Sequence, residues 1–403
     1  MQNPKSIKLD PSKNTFPYLI PGQGVFIFEL VENKHSHFII NNDMMDDGLK
    51  VSILNDQIVV NRIGILEPMT DPFNEDGFSL VKGSYYWFSL DPMNQRLYFG
   101  IGEARLETAT YQYIYHFELE RDDLRKNNKQ FLESLTTIKT NDNIIPLRLL
   151  RDPITTSIPL KVKNTDLLTM NDIASAQYMP KANLSITSQR LYDCIAGERF
   201  VLNDDDFPNF SNAIEQSIRN PEGWCYKKLQ SKSREFNKDK PNLLETYLRI
   251  TLGENNGESP GIPYVMEIWP PSHYSPIHNH ANAEAVIRVL TGNINVSLYP
   301  FLCADNIKPF NAVTFEKDDV TWISSNLNQT HQLRNLSEET TCVTIQCYMY
   351  KSHMDSHYDY FDYIDGNGDI QQYEPDSDMD FIDFKKVMKQ EWEQNNKPRY
   401  CCF

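Results

Sequence analysis

Two long stretches of this chain consist of short apolar runs separated by polar turns, and this texture constrains the fold more than any other feature. Residues 15 to about 120 include GVFIFEL (24–30) and SYYWFSLD (84–91). From residue 244 onward the texture returns, for example in AEAVIRVLTG (283–292) and TCVTIQCYMY (341–350). Short strands at regular spacing are typical of antiparallel sandwiches and barrels. The sequence therefore predicts a mainly β protein, with an antiparallel β-sandwich-like domain first and a β-barrel in the C-terminal part.

The segment between the two β regions has a different texture. It is charged and then extended, without a clear period, and we interpret it as a connector with strands. In NFSNAIEQSIRN (209–220), apolar residues recur at i, i+3, i+4 and i+8 from Phe210, which predicts a helix that ends before Pro221. A second helix is predicted at 223–236. The predicted division is an N-terminal β-sandwich-like domain of unknown role, a connector, and a barrel domain preceded by short helices (1–125, 126–184 and 185–403).

The charge of the chain limits its partners. Its 403 residues include 39 Lys and Arg against 55 Asp and Glu, a net charge of −16. Such a surface repels phosphate backbones and anionic lipid, so neither nucleic acid nor a membrane is predicted as a partner. The N-terminus lacks the apolar core of a secretory signal and no apolar run approaches a membrane span, so a cytoplasmic location is expected. The seven cysteines show no C-x-x-C spacing and are expected to be reduced thiols.

Three histidines in the second β region have a spacing that suits a metal site. His278 and His280 are two residues apart on an extended segment, so both side chains point to the same face. A third histidine, His331, follows later in the chain, with Asn335 four positions after it. Imidazoles that meet inside a barrel can bind one ion. The pair formed by His35 and its neighbour at 37 has no third ligand in view and is expected to be exposed.

The two histidine motifs resemble the signature of the cupin superfamily, in which H-x-H and a later H-x-x-x-N supply metal ligands from facing strands. The resemblance implies a double-stranded β-helix, or jelly-roll, barrel with the three histidines as ligands. Many cupins add a glutamate ligand, and Glu284 lies near that place. The alternation in AEAVIRVL instead points Ala285 inward together with Ile287 and Val289, and Glu284 outward. The expected site therefore has three neutral histidines and no carboxylate.

A facial set of three histidines leaves three positions of an octahedral ion open, which suits Fe(II) that binds a substrate and dioxygen together. Zinc with three histidines and water is also chemically possible. The resemblance favours iron, because about residues 205–370 are similar to the cysteine dioxygenase family, the thiol dioxygenase branch of the cupins. The resemblance is carried by NPEGW (220–224), ETYLRITLG (245–253), EIWPPSHYSPIHNH (267–280) and HQLRNLSEETTCVTIQCYMY (331–350). Fe(II) is the cofactor that it implies.

The resemblance also implies roles for residues around the iron. Arg249 matches the arginine that binds the substrate carboxylate, and a planar guanidinium can grip a carboxylate with two hydrogen bonds. Tyr348 matches the tyrosine whose hydroxyl faces the ligands of the iron. Arg249 and Tyr348 are the predicted catalytic residues. Arg249, Tyr247, Trp269 and Gln346 are the predicted substrate-binding residues.

Two positions depart from the family pattern. Animal members hold a cysteine at the slot of Ala285 and join it to the tyrosine by a thioether, so Tyr348 is expected to be uncrosslinked, as in bacterial members. Gln346 replaces a histidine of the family. Its amide is expected to donate a hydrogen bond to Tyr348.

The implied activity is the oxidation of L-cysteine by O2 to cysteine sulfinic acid, with a small-molecule thiol and O2 as partners. Two alternatives stay open. The substrate could be another thiol, such as 3-mercaptopropionate or a peptide with an N-terminal cysteine. The chain could also be a non-catalytic cupin scaffold, whose N-terminal domain binds a protein or a sugar.

Overall fold

The computed structural model describes residues 5–65, 69, 80–81, 84–114, 122–197, 200–253, 264–280, 283–304, 308–324, 330–350 and 361–396. The chain divides into two compact units, Met1–Ile158 and Pro159–Phe403. The segment predicted as a connector is shared between them, with 126–158 in the first unit and 159–184 in the second. Both units are built mainly from antiparallel strands, which confirms the predicted mainly β class.

Two sheets make up the first unit. Its strands and one helix are β1 (Ser6–Lys8), β2 (Thr15–Pro17), β3 (Gly24–Leu30), β4 (Ser36–Asn42), β5 (Gly48–Ile53), β6 (Ile58–Arg62), β7 (Tyr86–Asp91), β8 (Arg96–Ile101), β9 (Ala109–Ile114), α1 (Asp122–Ser134), β10 (Leu135–Thr140) and β11 (Ile144–Leu150). One sheet has the order β1-β11-β3-β7-β8-β9 and the other β2-β10-β4-β5-β6. The last strand predicted before residue 120 ends at Ile114 in the structure, and 115–121 lie outside the described residues.

Aromatic side chains hold these two sheets face to face. Phe26 and Phe28 on β3 contact Phe38 on β4, with ring centroids 5.4 and 5.5 Å apart. All three rings are fully buried. Because β3 and β4 belong to different sheets, the first unit is a sandwich with an aromatic core, as the alternating strands predict.

Helices of the second unit precede and follow its barrel. They are α2 (Met170–Ala174), α3 (Ile186–Ile195), α4 (Phe210–Arg219), α5 (Trp224–Lys232) and α6 (Phe381–Asn395). The predicted apolar face of α4 is buried, as Phe210 and Ile214 illustrate. Phe210 also contacts Phe384 of α6 at 5.8 Å between ring centroids. The helices α3 and α6 were not predicted from the sequence.

The barrel of the second unit consists of two sheets. Its strands are β12 (Lys161–Lys163), β13 (Tyr178–Pro180), β14 (Leu248–Gly253), β15 (Tyr264–Trp269), β16 (His278–Asn279), β17 (Ala283–Thr291), β18 (Asn293–Tyr299), β19 (Asn311–Glu316), β20 (Val320–Ile323), β21 (Thr330–Arg334), β22 (Cys342–Tyr350), β23 (Phe361–Ile364), β24 (Ile370–Tyr373) and β25 (Met379–Asp380). The sheet orders are β13-β12-β20-β17-β22-β15-β14-β25 and β19-β18-β21-β16-β23-β24. Trp269 of the first sheet packs in one core cluster with Leu298 and Leu333 of the second, so the two sheets face each other as a jelly-roll barrel does.

Gly292 makes the tight turn between β17 and β18. Its φ is +71°, and a Cβ there would lie 2.8 Å from the carbonyl oxygen of Thr341. We expect Gly292→Ala to lower the free energy of unfolding of the second unit by about 3 kcal/mol, since backbone strain and a collision with backbone add together. Gly197→Ala is the matched control. Its φ is +75° with nothing within 4 Å, so strain alone should cost about 1 kcal/mol. Urea unfolding of both variants measures the difference, and equal losses would contradict the collision.

Two findings bear on location and thiol chemistry. Among the helices of the described segments, none combines the length and the apolar character needed to cross a membrane.

Five cysteines carry free thiols, at positions 194, 225, 303, 342 and 347. Cys401 and Cys402 lie outside the described residues.

Candidate metal centre

His278 and His331 lie side by side on neighbouring strands of the barrel. Antiparallel pairing of β16 with β21 places them directly opposite each other, with ring centroids 4.4 Å apart. His280 follows His278 after one residue, and their rings are 4.8 Å apart. The Nδ1–H of His278 donates to the backbone carbonyl of Pro276 at 2.9 Å. This bond fixes the tautomer, so Nε2 is the basic nitrogen of that ring.

The three histidines could hold one ion. One ligand atom from each lies within 4.8 Å of the others, and they form the one group of three or more such residues found in the described part of the chain. The Nε2 atoms of His278 and His280 are 3.1 Å apart. Two neighbouring nitrogens of an octahedral ion with bonds of about 2.1 Å are about 3.0 Å apart, so this spacing is compatible with such an ion.

Burial favours the uncharged form of His278 and His280. It holds the pKa of His278 well below the usual value, with a further contribution from the neighbouring His331. Burial likewise lowers the pKa of His280, helped by His278 and His331. A metal binds the neutral form of histidine, so at neutral pH the donors need lose no proton to bind. Three neutral nitrogens fit Fe(II), Zn(II), Ni(II) and Cu(II) by ligand type.

Strand β17 keeps a carboxylate away from the histidines, as the sequence predicts. Ala285 is fully buried in a cluster with Tyr348, its partner in the pairing of β17 with β22. Glu284 points to the other face, where it accepts hydrogen bonds from Ser185 and from Ser188, the latter at 3.0 Å. Both serines belong to the start of α3, which packs on β17.

A small cavity joins the histidines to the other predicted residues. It is lined by Tyr247, Arg249, Glu267, Trp269, His278, His280, Ile287, His331, Leu333, Gln346, Tyr348 and Phe361. Tyr247 stacks on Trp269 with ring centroids 4.4 Å apart, and the Trp269 indole N–H donates to the Thr344 hydroxyl at 3.2 Å. All eight residues predicted for the site therefore line one space. Their roles as ligands, substrate-binding groups and catalytic groups stay predictions.

Glu267 is the charged residue of the cavity that the sequence analysis did not include. It is directly opposite Arg249 in the pairing of β14 with β15, and its Oε1 lies 3.8 Å from a guanidinium nitrogen of Arg249. The Glu267 carboxyl is buried, and burial raises its pKa to about 7, although Arg249 and a hydrogen bond from Gln346 act in the opposite direction. Strand parity could have identified Glu267, because it is two residues before Trp269, which was predicted to face the site.

The same carboxylate orients a chain of side-chain hydrogen bonds. Gln346 donates from Nε2 to Glu267, and the Tyr348 hydroxyl donates to Oε1 of Gln346. Because the amide of Gln346 turns its NH2 group toward Glu267, its oxygen faces Tyr348 and can only accept. The expectation that Gln346 donates to Tyr348 is therefore wrong in direction. Tyr348, whose ring lies 5.2 Å from that of His280, has its single hydroxyl proton engaged by Gln346.

The expected exposure of the His35 pair is confirmed for His35 but not for His37. His35 is exposed and His37 is half-buried on β4. Neither belongs to the metal-binding group of the described residues. His278 and His280 differ from this pair because a third histidine, His331, lies within reach of both.

Comparison with known proteins gives solved structures of low similarity to this chain. No family model matches it. Similar solved structures include a cupin domain of Cnp3 from Schizosaccharomyces pombe, with 11% identity over 26% of this chain and 65% of that chain and a TM-score of 0.21. They also include an oxalate oxidase in complex with the substrate analogue glycolate (18% identity, 29% of this chain, 55% of that chain, TM-score 0.22). A third is a predicted oxalate decarboxylase from Thermotoga maritima (14% identity, 22% of this chain, 67% of that chain, TM-score 0.19). The chain spans less than two thirds of the length of the first two.

Proposed function

We propose that this protein is a mononuclear non-haem iron enzyme that oxidises a thiol, L-cysteine in the first place, with dioxygen to the sulfinic acid. One observation carries the proposal. Three histidines, of which His278 and His331 are buried and His280 is half-buried, meet in a small cavity that also holds a buried arginine and a buried tyrosine, Arg249 and Tyr348. A cation site beside a guanidinium suits a substrate with one soft donor and one carboxylate.

The metal would be held by His278, His280 and His331. When bound, Fe(II) supplies the open coordination positions and the redox chemistry that dioxygen needs. Both oxygen atoms go to sulfur, which is oxidised while O2 is reduced, so the reaction needs no other reductant.

The remaining residues of the cavity would orient the substrate. Arg249 would take its carboxylate in a bidentate grip, which is strong where water is excluded. The stacked rings of Tyr247 and Trp269 form an apolar wall beside the guanidinium, and Tyr348 offers hydroxyl lone pairs to a donor on the substrate. A carboxylic acid group on the substrate would thus be recognised at a fixed distance from the sulfur.

An oxygen-consumption assay tests the proposal. The full chain is loaded with Fe(II) under argon and mixed with oxygenated buffer that contains L-cysteine. We expect one molecule of sulfinate to form for each O2 consumed, measured with an oxygen electrode and by mass spectrometry with 18O2, which should place both labels in the product. Parallel assays with 3-mercaptopropionate and an N-terminal cysteine peptide rank the alternative substrates. Iron binding without oxygen consumption by any of these thiols would refute the enzyme hypothesis and favour the scaffold.

A further inference from the structure

A second cavity lies in the barrel beside the metal centre. It has a volume of about 20 Å³, and Ile287, His331 and Leu333 line both this apolar cavity and the cavity of the three histidines. Its walls come from two strand pairs, since Leu298 of β18 is directly opposite His331 of β21 and Ile287 of β17 is opposite Thr321 of β20. These pairs belong to different sheets, so the apolar cavity lies between the two sheets of the barrel, next to a candidate metal ligand.

The apolar cavity is a gap between two clusters of the barrel core. Val296, Leu298 and Leu333 belong to one cluster, and Ile287 and Ile323 belong to the other. All five side chains are buried, and all five line the gap. Protein interiors are close-packed, with few voids as large as a water molecule, so a void beside a candidate metal ligand is room for a guest.

The lining of the apolar cavity decides which guest fits. Seven of its nine residues are apolar, and the other two are Thr321 and His331. Neither Arg249 nor Glu267 belongs to it. A buried water needs about two to four polar partners, whereas cavities with apolar walls stay dry and take apolar guests such as xenon. A volume of about 20 Å³ exceeds the roughly 10–15 Å³ that one water requires, so the guest is an apolar molecule of a few atoms.

We propose that the apolar cavity is a binding site for dioxygen, placed beside the metal centre so that the gas and the thiol enter separate spaces. Dioxygen is uncharged, apolar and two atoms long, which suits both the lining and the volume. A thiol with a carboxylate would lose its hydration there without gaining a charged partner, so it is confined to the cavity of Arg249. Supply of dioxygen to a reaction rests on the proposed function, whereas binding of dioxygen in the cavity does not.

Two substitutions at Val296 change the volume of the apolar cavity in opposite directions. Val296→Ile adds one methylene to the wall, and a core of native density responds to a change of that size. Val296→Ala removes two carbon atoms and enlarges the cavity. Val343→Ile is the matched control for the first change, because Val343 is 1% exposed on β22 and lines neither cavity. Thermal unfolding checks that every variant is folded.

Dissolved dioxygen reports its own position, because it is paramagnetic and speeds the relaxation of nearby methyl protons. The full chain is methyl-labelled and loaded with Zn(II), which three histidines can bind and which has no unpaired electrons. Under oxygen, we expect the methyl protons of Ile287 and Leu298 to relax severalfold faster than those of Leu191, a fully buried residue of α3. Val296→Ile should abolish this difference, Val296→Ala should increase it, and Val343→Ile should leave it unchanged.

Turnover of the iron-loaded protein tests the supply of dioxygen. With L-cysteine as the thiol, Val296→Ile should raise the KM for O2 severalfold. It should leave the KM for cysteine and the kcat at saturating O2 unchanged, because neither the thiol nor the chemical step uses the apolar cavity. Val343→Ile should leave all three constants at their wild-type values.

Methyl protons at the apolar cavity that relax no faster than those of Leu191 would overturn the inference. So would relaxation that Val296→Ile leaves unchanged, or an active Val296→Ile variant whose KM for O2 equals that of the wild type. Failure of the proposed function gives a different result. Dioxygen that occupies the cavity but is consumed with none of the three thiols would support the binding site and refute the proposed reaction.

Discussion

Replacing His278 by alanine should abolish stable iron binding. The ring of His278 contacts those of the other two candidate ligands, with centroids 4.8 Å from His280 and 4.4 Å from His331. Loss of a residue that only hydrogen-bonds to a metal ligand weakens metal binding about 10- to 100-fold. Loss of a ligand itself should therefore lower the metal affinity by more than about a hundredfold. We expect sulfinate formation to fall with the bound iron.

Metal-induced stabilisation gives a second measure of the same effect. For the wild-type protein, free Fe(II) at a hundred times its dissociation constant should raise the free energy of unfolding by about 2.7 kcal/mol. The same concentration should leave His278→Ala unchanged within error. His35→Ala is the control, because His35 is exposed and lies in the other unit. If Fe(II) raised the free energy of unfolding of His278→Ala as much as that of the wild type, the three histidines could not be the metal site.

The parts of the fold that the sequence predicted have a local cause. Alternation of apolar and polar residues follows directly from the geometry of a strand with one face in a core. It gave the strands of both units and the inward position of Ala285. The buried face of α4 was predicted in the same way, from apolar residues that recur with the helical period between Phe210 and Ile218.

The parts that escaped prediction depend on distant residues. Strand β16 is two residues long and exists through its pairing with β21 and β23. The short strands β12 and β13 form a parallel pair with no repeat long enough to see in a sequence. Helix α6 buries only Phe384 and Met388, one turn apart, which is a narrow apolar stripe.

The candidate site was predictable to the same extent. The histidines belong to short motifs, and each motif can be recognised from neighbouring residues of the sequence alone. The pair of Arg249 with Glu267 does not, because it depends on the register of β14 against β15, and hydrophobic alternation alone leaves register open by steps of two residues. In a sequence, such a pair can be suspected where a charged residue occupies a strand position whose side chain should face the barrel interior.

Replacing Arg249 by leucine should destabilise the second unit, and more so at high pH. The change leaves Glu267 buried without its cation, and breaking a buried ion pair by removing one partner costs about 3 to 5 kcal/mol. A lone buried carboxyl avoids part of this cost by keeping its proton. The pKa of Glu267 is already raised from 4.5 to about 7 with Arg249 in place, and it should rise further without it.

The sign of the pH dependence follows from these shifts. Between its unfolded and folded pKa values, Glu267 binds more proton in the folded state, so stability falls as pH rises. In the wild-type protein this fall ends near pH 7, whereas in Arg249→Leu it continues to higher pH. We therefore expect a loss of about 3 kcal/mol or more at pH 8 and less than about half of that at pH 6.

Urea unfolding of the metal-free protein, followed by tryptophan fluorescence, measures both values, since Trp224, Trp269, Trp322 and Trp392 belong to the second unit. Arg334→Leu is the control, because Arg334 is exposed on β21, and it should change stability by less than about 0.5 kcal/mol at either pH. In Arg249→Leu/Glu267→Leu the carboxyl of Glu267 is gone as well, so the extra loss at pH 8 should disappear. A loss in Arg249→Leu that is equal at the two pH values would mean that Glu267 bears no charge in the wild-type cavity, and the cation–anion pair would then have to be abandoned.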